Sequence, residues 1–279
     1  MWSGISNKMV AYADDTSLYA HIPSPSLRQE VADSLSEDLH IIQSWCSQWG
    51  MKLNPNKSKD LVISRSRTTN PAHPSLSIDG VLIESVDSIK LLGVILDSKL
   101  TFESHLRSMS RVLSPKLGIL RKARRIYEED NVLRRCFFSF ILPHFEYCSA
   151  VWSSAADSHI KLLDRMFNSI KFLLSDLDLD IEHRRAVGSL SILYKLVNDA
   201  SHPLHKFLPG LYQPIRVTRN SESLNSLAFN IDRVSTSQFS RCFFPATCKF
   251  WNKLPTEIVM SPTLDQFKRL ANSYLLNKR

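Results

Sequence analysis

The first apolar run of the chain alternates poorly with polar positions, and the run after it alternates well. Met9 to Tyr12 is a short run of strand formers. Thr16 to Ile22 sets Ser17, Tyr19 and His21 against Leu18, Ala20 and Ile22. This pattern predicts a strand, a tight turn and a second strand, with Asp14 and Asp15 at the tip. Pro23 and Pro25 end that hairpin. The period then changes: Leu27, Val31, Leu35, Leu39, Ile42, Trp45 and Trp49 recur every three or four residues. They predict one helix from a Ser26 cap to about Trp49, with Gly50 at C′ and both tryptophans in the core. Glu30, Asp33, Glu37 and Asp38 fall off this stripe.

Shorter elements follow. A turn on Asn54-Pro55 leads into a short apolar strand ending near Ile63, and Thr68 to Pro74 reads as a polar loop. Asp79-Gly80 between Leu76-Ser77-Ile78 and Val81-Leu82-Ile83 is a two-residue hairpin signal. Ile89 to Leu96 reads as one strand, in which Gly93 would allow close approach of another backbone. From Ser104 to Tyr127 the period is helical, and Ser114-Pro115 marks either a kink or the start of a second helix. Further helices are expected from an Asp130 cap to about Leu142, from Ala156 to Leu174 and from Glu182 to Asn198, with a loop or linker over Ser201–Asn230. Strands followed by helices give an α+β class.

Composition narrows the picture. The 279 residues are 43% hydrophobic and 22% charged, which suits a globular chain. No G-x-G-x-x-G or P-loop string occurs. No charged-then-apolar leader follows Met1, and Cys136 to Leu142 is too short to span a bilayer, so no membrane partner is expected. Cys46, Cys136, Cys148, Cys242 and Cys248 form no C-x-x-C, so reduced thiols in an intracellular protein are expected, in nucleus or cytoplasm alike. His144 and Cys148 have i, i+4 spacing, but two ligands without a third favour core packing over zinc.

The net charge of +8 points to polyanions. Seven cations lie between Ser104 and Tyr127 with no Asp or Glu among them: Arg107, Arg111, Lys116, Arg121, Lys122, Arg124 and Arg125. A solvated face mixes both signs, so this bias favours a helix that faces phosphates. The adjacent carboxylates of Asp14 and Asp15 repel unless water or a cation intervenes. A hard divalent ion that keeps some waters and also binds phosphate would suit them.

Several strings, in this order, resemble one family. They are Tyr12-Ala13-Asp14-Asp15, Asn54-Pro55-Asn56-Lys57-Ser58, Lys90 to Asp97 with Leu100-Thr101-Phe102 and His105, and Ile141 to Cys148 through Trp152. Arg241 to Cys248, Trp251 to Pro255 and Phe267-Lys268 complete the set. Together they resemble the reverse transcriptases of non-LTR, LINE- or jockey-like, retrotransposons. The resemblance implies a partial polymerase palm over 1–100, an antiparallel sheet with one covering helix. It implies a mostly α-helical thumb and connection over 101–200 and a C-terminal tail region over 201–279. It implies RNA-directed DNA synthesis with Mg²⁺ (or Mn²⁺) held by Asp14 and Asp15, Tyr12 supporting the incoming nucleotide, and Lys57 assisting pyrophosphate departure. An RNA template and a DNA primer are the implied partners, with the seven cations on the RNA–DNA duplex. The family's third carboxylate and its fingers would precede residue 1. The chain is therefore expected to be a C-terminal fragment, inactive alone, using deoxynucleotides only if the missing half is supplied. The alternative is a basic helical nucleic-acid-binding or scaffold protein in which the Asp pair is only a turn.

Overall fold

In a computed structural model the described residues are 4–64, 75–127, 130–174, 177, 179–213, 224–231 and 236–277. The loop expected over Thr68–Pro74 lies outside them. The chain divides into two units, Met1–Leu100 and Thr101–Arg279. Small sheets in the first and helices in the second make the class α+β.

The first unit opens with β1 (Lys8–Tyr12) and β2 (Asp15–Tyr19), antiparallel with Tyr12 opposite Asp15. A 3₁₀ turn at Pro25–Leu27 leads into α1 (Arg28–Gln48). Leu27 rather than Ser26 is the N-cap, because the 3₁₀ turn absorbs the serine, and no side chain caps the helix. The C-terminus ends as the glycine predicts. Gly50 takes φ 67, its N–H donates to Ser47 O (3.2 Å), and Met51 N–H donates to Cys46 O (2.8 Å).

Trp49 departs from the expected core stripe. It is 68% exposed, with its ring tilted against that of Trp45 at 6.1 Å. Asp38 departs the other way and is 1% exposed.

The remaining strands are short. β3 (Lys59–Asp60) runs parallel to β6 (Glu84–Ser85). β4 (Ser77–Ile78) and β5 (Val81–Leu82) close on Asp79-Gly80, both at positive φ, as the two-residue turn requires. Gln43 Nε2 of α1 donates to Asp79 Oδ1 (2.9 Å) and ties this turn to the helix. The run Ile89–Leu96 is not one strand. It folds back as β7 (Ser88–Leu91) and β8 (Val94–Asp97), with Leu92 (φ 45) and Gly93 (φ 85) as the turn. Gly93 thus serves a reversal, not the close approach of a neighbouring backbone. Among the described residues the strands pair two by two rather than in one sheet.

The second unit begins with α2 (Glu103–Arg124), which passes through Pro115 without a break. α3 (Asp130–Cys136), a π turn at Phe137–Ile141 and α4 (Leu142–Glu146) form one helical run. In the π turn Leu142 N–H donates to Phe137 O, and the donorless Pro143 follows. Next come α5 (Ser149–Trp152), α6 (Asp157–Lys171) and α7 (Ile181–Asn198), the last capped by Asp180, which accepts from His183 N–H (3.1 Å). The two long later helices lie close to their expected spans. Glu103 approaches His159 at 3.6 Å, and Arg121 donates to Ser169 Oγ at 3.0 Å. Bridged at both ends in this sense, α2 and α6 run parallel.

The expected linker holds a 3₁₀ turn at His205–Phe207 and a bridge from Leu211 to Phe229, while 214–223 lie outside the described residues. Then come α8 (Ser237–Ser240), α9 (Phe243–Trp251), α10 (Thr256–Val259) and α11 (Leu264–Asn277). Trp251, Cys248, Phe267 and Ala271 share one core with Leu190, Leu193 and Tyr194 of α7. Tyr194 stacks on Phe267 at 4.5 Å. Burial pushes the Cys248 thiol up to about 12, so it stays protonated. Asn225 and Asn252 tie the irregular chain to this core: Asn225 Nδ2 donates to Trp251 O (2.7 Å), and Asn252 Oδ1 accepts from Phe229 N–H (2.8 Å). Among the described residues no helix is long and apolar enough to cross a membrane.

Candidate active site

The register of β1 and β2 decides where the two carboxylates sit. Tyr12 pairs with Asp15, so Ala13 and Asp14 are the turn and Asp15 is the first residue of β2. The tip is therefore one residue earlier than the pattern alone suggests. Side chains two apart on a strand share a face, so Asp15 lies on the face of Tyr12 and Val10. Asp14 projects from the turn itself. Ala13 has φ 53, the left-handed backbone that a two-residue hairpin usually gives to glycine. Strain of this kind persists where the surroundings hold it, often at functional sites.

Asp14 and Asp15 are both exposed, and among the described residues neither carboxylate makes a hydrogen bond or ion pair. Tyr12 beside them is 66% exposed. Two free, hard oxygen donors on adjacent residues fit a divalent cation that completes its shell with water and phosphate. Among the described residues no group of three or more His, Cys, Asp or Glu could hold a metal ion.

Lys57 is exposed in the turn begun by Asn54, whose carbonyl accepts from Lys57 N–H at 3.1 Å. No side-chain bond joins Lys57 to either aspartate among the described residues. His144 and Cys148 do not share a helix register. Cys148 follows the end of α4 at φ 51, and His144 Nε2 meets Lys116 Nζ at 2.5 Å. Burial and the Lys116 charge hold the His144 imidazole below its ordinary value.

The seven cations separate into three kinds. Arg107 reaches back to Glu103, with Nε 2.7 Å from Oε1. Lys116 turns onto Phe140 O (3.1 Å) and His144, and Arg121 onto Ser169. Arg124 is half-buried at the helix end. Arg111, Lys122 and Arg125 are exposed. At about 100° per residue, Arg107, Arg111, Lys122 and Arg125 fall within about 60° of one another, so α2 does carry a basic face. That face holds fewer uncommitted charges than the sequence run suggests.

The pattern missed Asp38. Asp38 Oδ1 accepts from Ser6 N–H (2.8 Å), and Oδ2 accepts from Asn7 N–H (2.8 Å) and Asn7 Nδ2 (2.9 Å). A charged residue off an apolar stripe reads as solvated, and only the fold brings two backbone donors onto it.

Residues 1–96 match the family described as reverse transcriptase (RNA-dependent DNA polymerase). The chain is thus similar, most directly over its first 96 residues, to the RNA-directed DNA polymerases of jockey and other transposons. It is 26% identical over 170 residues to the probable RNA-directed DNA polymerase from transposon BS of Drosophila melanogaster, a stretch covering 60% of this chain and 18% of that protein. It is 28% identical over 155 residues to the RNA-directed DNA polymerase from mobile element jockey of Drosophila funebris, covering 54% of this chain and 16% of that one. A type-1 element R1 polyprotein of Nasonia vitripennis matches at 22% over 157 residues, covering 54% of this chain and 45% of its own length. The match thus spans under a fifth of the two Drosophila proteins. No solved structure matches the chain. The hairpin lies inside the matched residues, while α2 and its basic face lie beyond them.

Proposed function

We propose that this chain is part of an RNA-directed DNA polymerase, with 1–100 as the end of the palm, 101–200 as thumb and connection, and 201–279 as the C-terminal region. The observation that carries the reading is the tight hairpin inside the reverse transcriptase match, which presents two free, adjacent carboxylates at its tip. Asp14 and Asp15 would hold Mg²⁺ or Mn²⁺ through carboxylate oxygens. When bound, such an ion would supply a coordination point for the primer 3′-hydroxyl and charge neutralisation for the departing pyrophosphate. Tyr12, exposed on the face of Asp15, supports the incoming nucleotide. The exposed cations Arg111, Lys122 and Arg125 bind phosphates of the RNA–DNA duplex. Lys57 is assigned to pyrophosphate release by resemblance alone.

Two carboxylates leave most of the metal's ligand positions to water, so the 279-residue chain binds metal weakly. Two-metal transfer needs a pair of ions about 3.5–4 Å apart, which a two-carboxylate set does not fix. The chain by itself therefore does not extend a primer.

Mn²⁺ titration of the isotope-labelled chain tests the site. Line broadening at millimolar metal should centre on Tyr12 to Thr16 and disappear when Asp14 and Asp15 are both replaced by Ala. Unchanged turn signals at that concentration would remove the metal site and leave the basic helical binding protein as the reading.

A further inference from the structure

The hairpin that carries the two aspartates is poorly supported by its own packing. Val10 (56%), Tyr12 (66%) and Tyr19 (49%) are exposed, and among the described residues β1 and β2 pair only with each other. A two-stranded hairpin is marginal in water by itself. Its root is different. β1 begins at Lys8, and both preceding residues are bound to a single side chain of α1. Asp38, 1% exposed, takes the N–H groups of Ser6 and Asn7 on separate oxygens, and Asn7 Nδ2 bridges Asp38 Oδ2 to Ser34 Oγ one turn earlier (2.9 Å each). Three N–H donors on one carboxylate hold the chain in both direction and rotation, which a single bond does not.

Leverage makes the root matter. From Lys8 to the turn is about 17 Å at roughly 3.4 Å per residue, so a swing of about 10° at the root moves the tip by about 3 Å. Productive catalytic geometry tolerates only about 0.5 Å. We propose that Asp38 is a positioning residue for the Asp14–Asp15 turn: by fixing the hairpin root to α1 it presents both carboxylates at one place. The proposal rests on the metal-holding reading of those carboxylates and adds a residue that touches neither metal nor substrate.

Asp38→Asn separates this role from packing. The side chain keeps its size, but its amide nitrogen would face one of the two backbone N–H groups, donor against donor. Asn7→Ala removes only the side-chain bonds, and Ile42→Val, elsewhere in the α1 core, controls for general loosening. In the full chain, amide exchange across residues 8–19 and the Mn²⁺ dissociation constant at the turn are measured together. Asp38→Asn should speed hairpin exchange by about tenfold or more, as expected for loss of a charge-assisted hydrogen bond. It should also weaken Mn²⁺ several-fold while α1 amides stay protected. Asn7→Ala should shift both readings less and in the same direction, and Ile42→Val neither.

Wild-type hairpin exchange and wild-type Mn²⁺ affinity in a folded Asp38→Asn protein would overturn the proposal. So would equal loosening by Ile42→Val. If Asp38→Asn does not fold, an Asn7→Ala protein with unchanged exchange overturns it equally. Absence of Mn²⁺ broadening in the wild-type chain would instead sink the metal reading, while the exchange data still show whether Asp38 fixes the root.

Discussion

Residues 1–100 and 101–279 bury themselves in different ways. In the second unit Trp152, Trp251, Phe137, Phe145, Phe167 and Phe267 are all less than 2% exposed. None of the largest fully buried side chains among the described residues comes from the first unit, whose apolar core is Ala32, Ile42, Cys46, Val62, Leu76, Ile78 and Val94. Where the second unit relies on aromatic volume, the first relies on tight turns, a glycine cap and one carboxylate with three N–H partners. Yet the first unit holds the reverse transcriptase match and the Asp pair. The proposed chemistry thus sits on the part with the least core, where placement depends on a few directional bonds.

The largest effect should come from the second unit's core. Trp251→Ala removes a fully buried ring and its Nε1 bond to Leu227 O (2.9 Å), and should lower stability by about 3–5 kcal/mol. Chemical denaturation followed by tertiary-structure signals checks this. A loss below about 1 kcal/mol would mean that the two units do not differ in packing as described.

The basic face of α2 comes next. Each phosphate contact removed should lower the log–log salt slope of RNA–DNA duplex binding by about one. Arg111→Ala, Lys122→Ala and Arg125→Ala should each do so. Arg107→Ala and Lys116→Ala, whose charges are engaged by Glu103 and by Phe140 O with His144, should change it less. Equal effects at all five positions would show that those contacts open on binding.

Acid should separate the units. Burial alone would raise the Asp38 pKa, but the Ser6 and Asn7 N–H groups and the Asn7 amide outweigh it, and the net value lies below the ordinary one. The unfolded chain then takes up the proton first as pH falls. The stabilisation is full above the ordinary carboxylate pKa of about 3.9 and is lost as pH drops through the lower folded value. Hairpin amides should lose protection in that window before the α7 core does, and Asp38→Asn should abolish this step. Simultaneous loss in both units would contradict the contrast.

The smallest effect is expected at the turn. Ala13→Gly relieves a positive φ, and the hairpin should tighten by about 0.5–1 kcal/mol, less the entropy that glycine adds to the unfolded chain. Faster hairpin exchange in Ala13→Gly would mean the alanine is not strained.

Much of this was legible from residue order. Asp79-Gly80 was readable because a two-residue turn demands left-handed backbone, and α6 and α7 because their apolar period is long. The hairpin at Leu92-Gly93 was not, because the apolar run continues through it and a glycine in a strand has two readings. Pro115 suggested a break that α2 does not make. The basic run was legible as charge, but its engagement by Glu103, His144 and Ser169 depends on a neighbouring helical turn, α4 and α6. Asp38 was hidden for a related reason: its partners are backbone N–H groups more than thirty residues earlier, and these carry no side-chain signal.

The role proposed for Asp14 and Asp15 is to hold metal at the end of a polymerase palm. Primer extension on an RNA template tests it most directly, with the chain alone and with the chain fused behind the fingers and first palm strands of a jockey relative. We expect no extension by the chain alone, extension by the fusion, and loss of that extension with Asp14→Ala or Asp15→Ala. Extension by the chain alone, or a fusion indifferent to both substitutions, would contradict it.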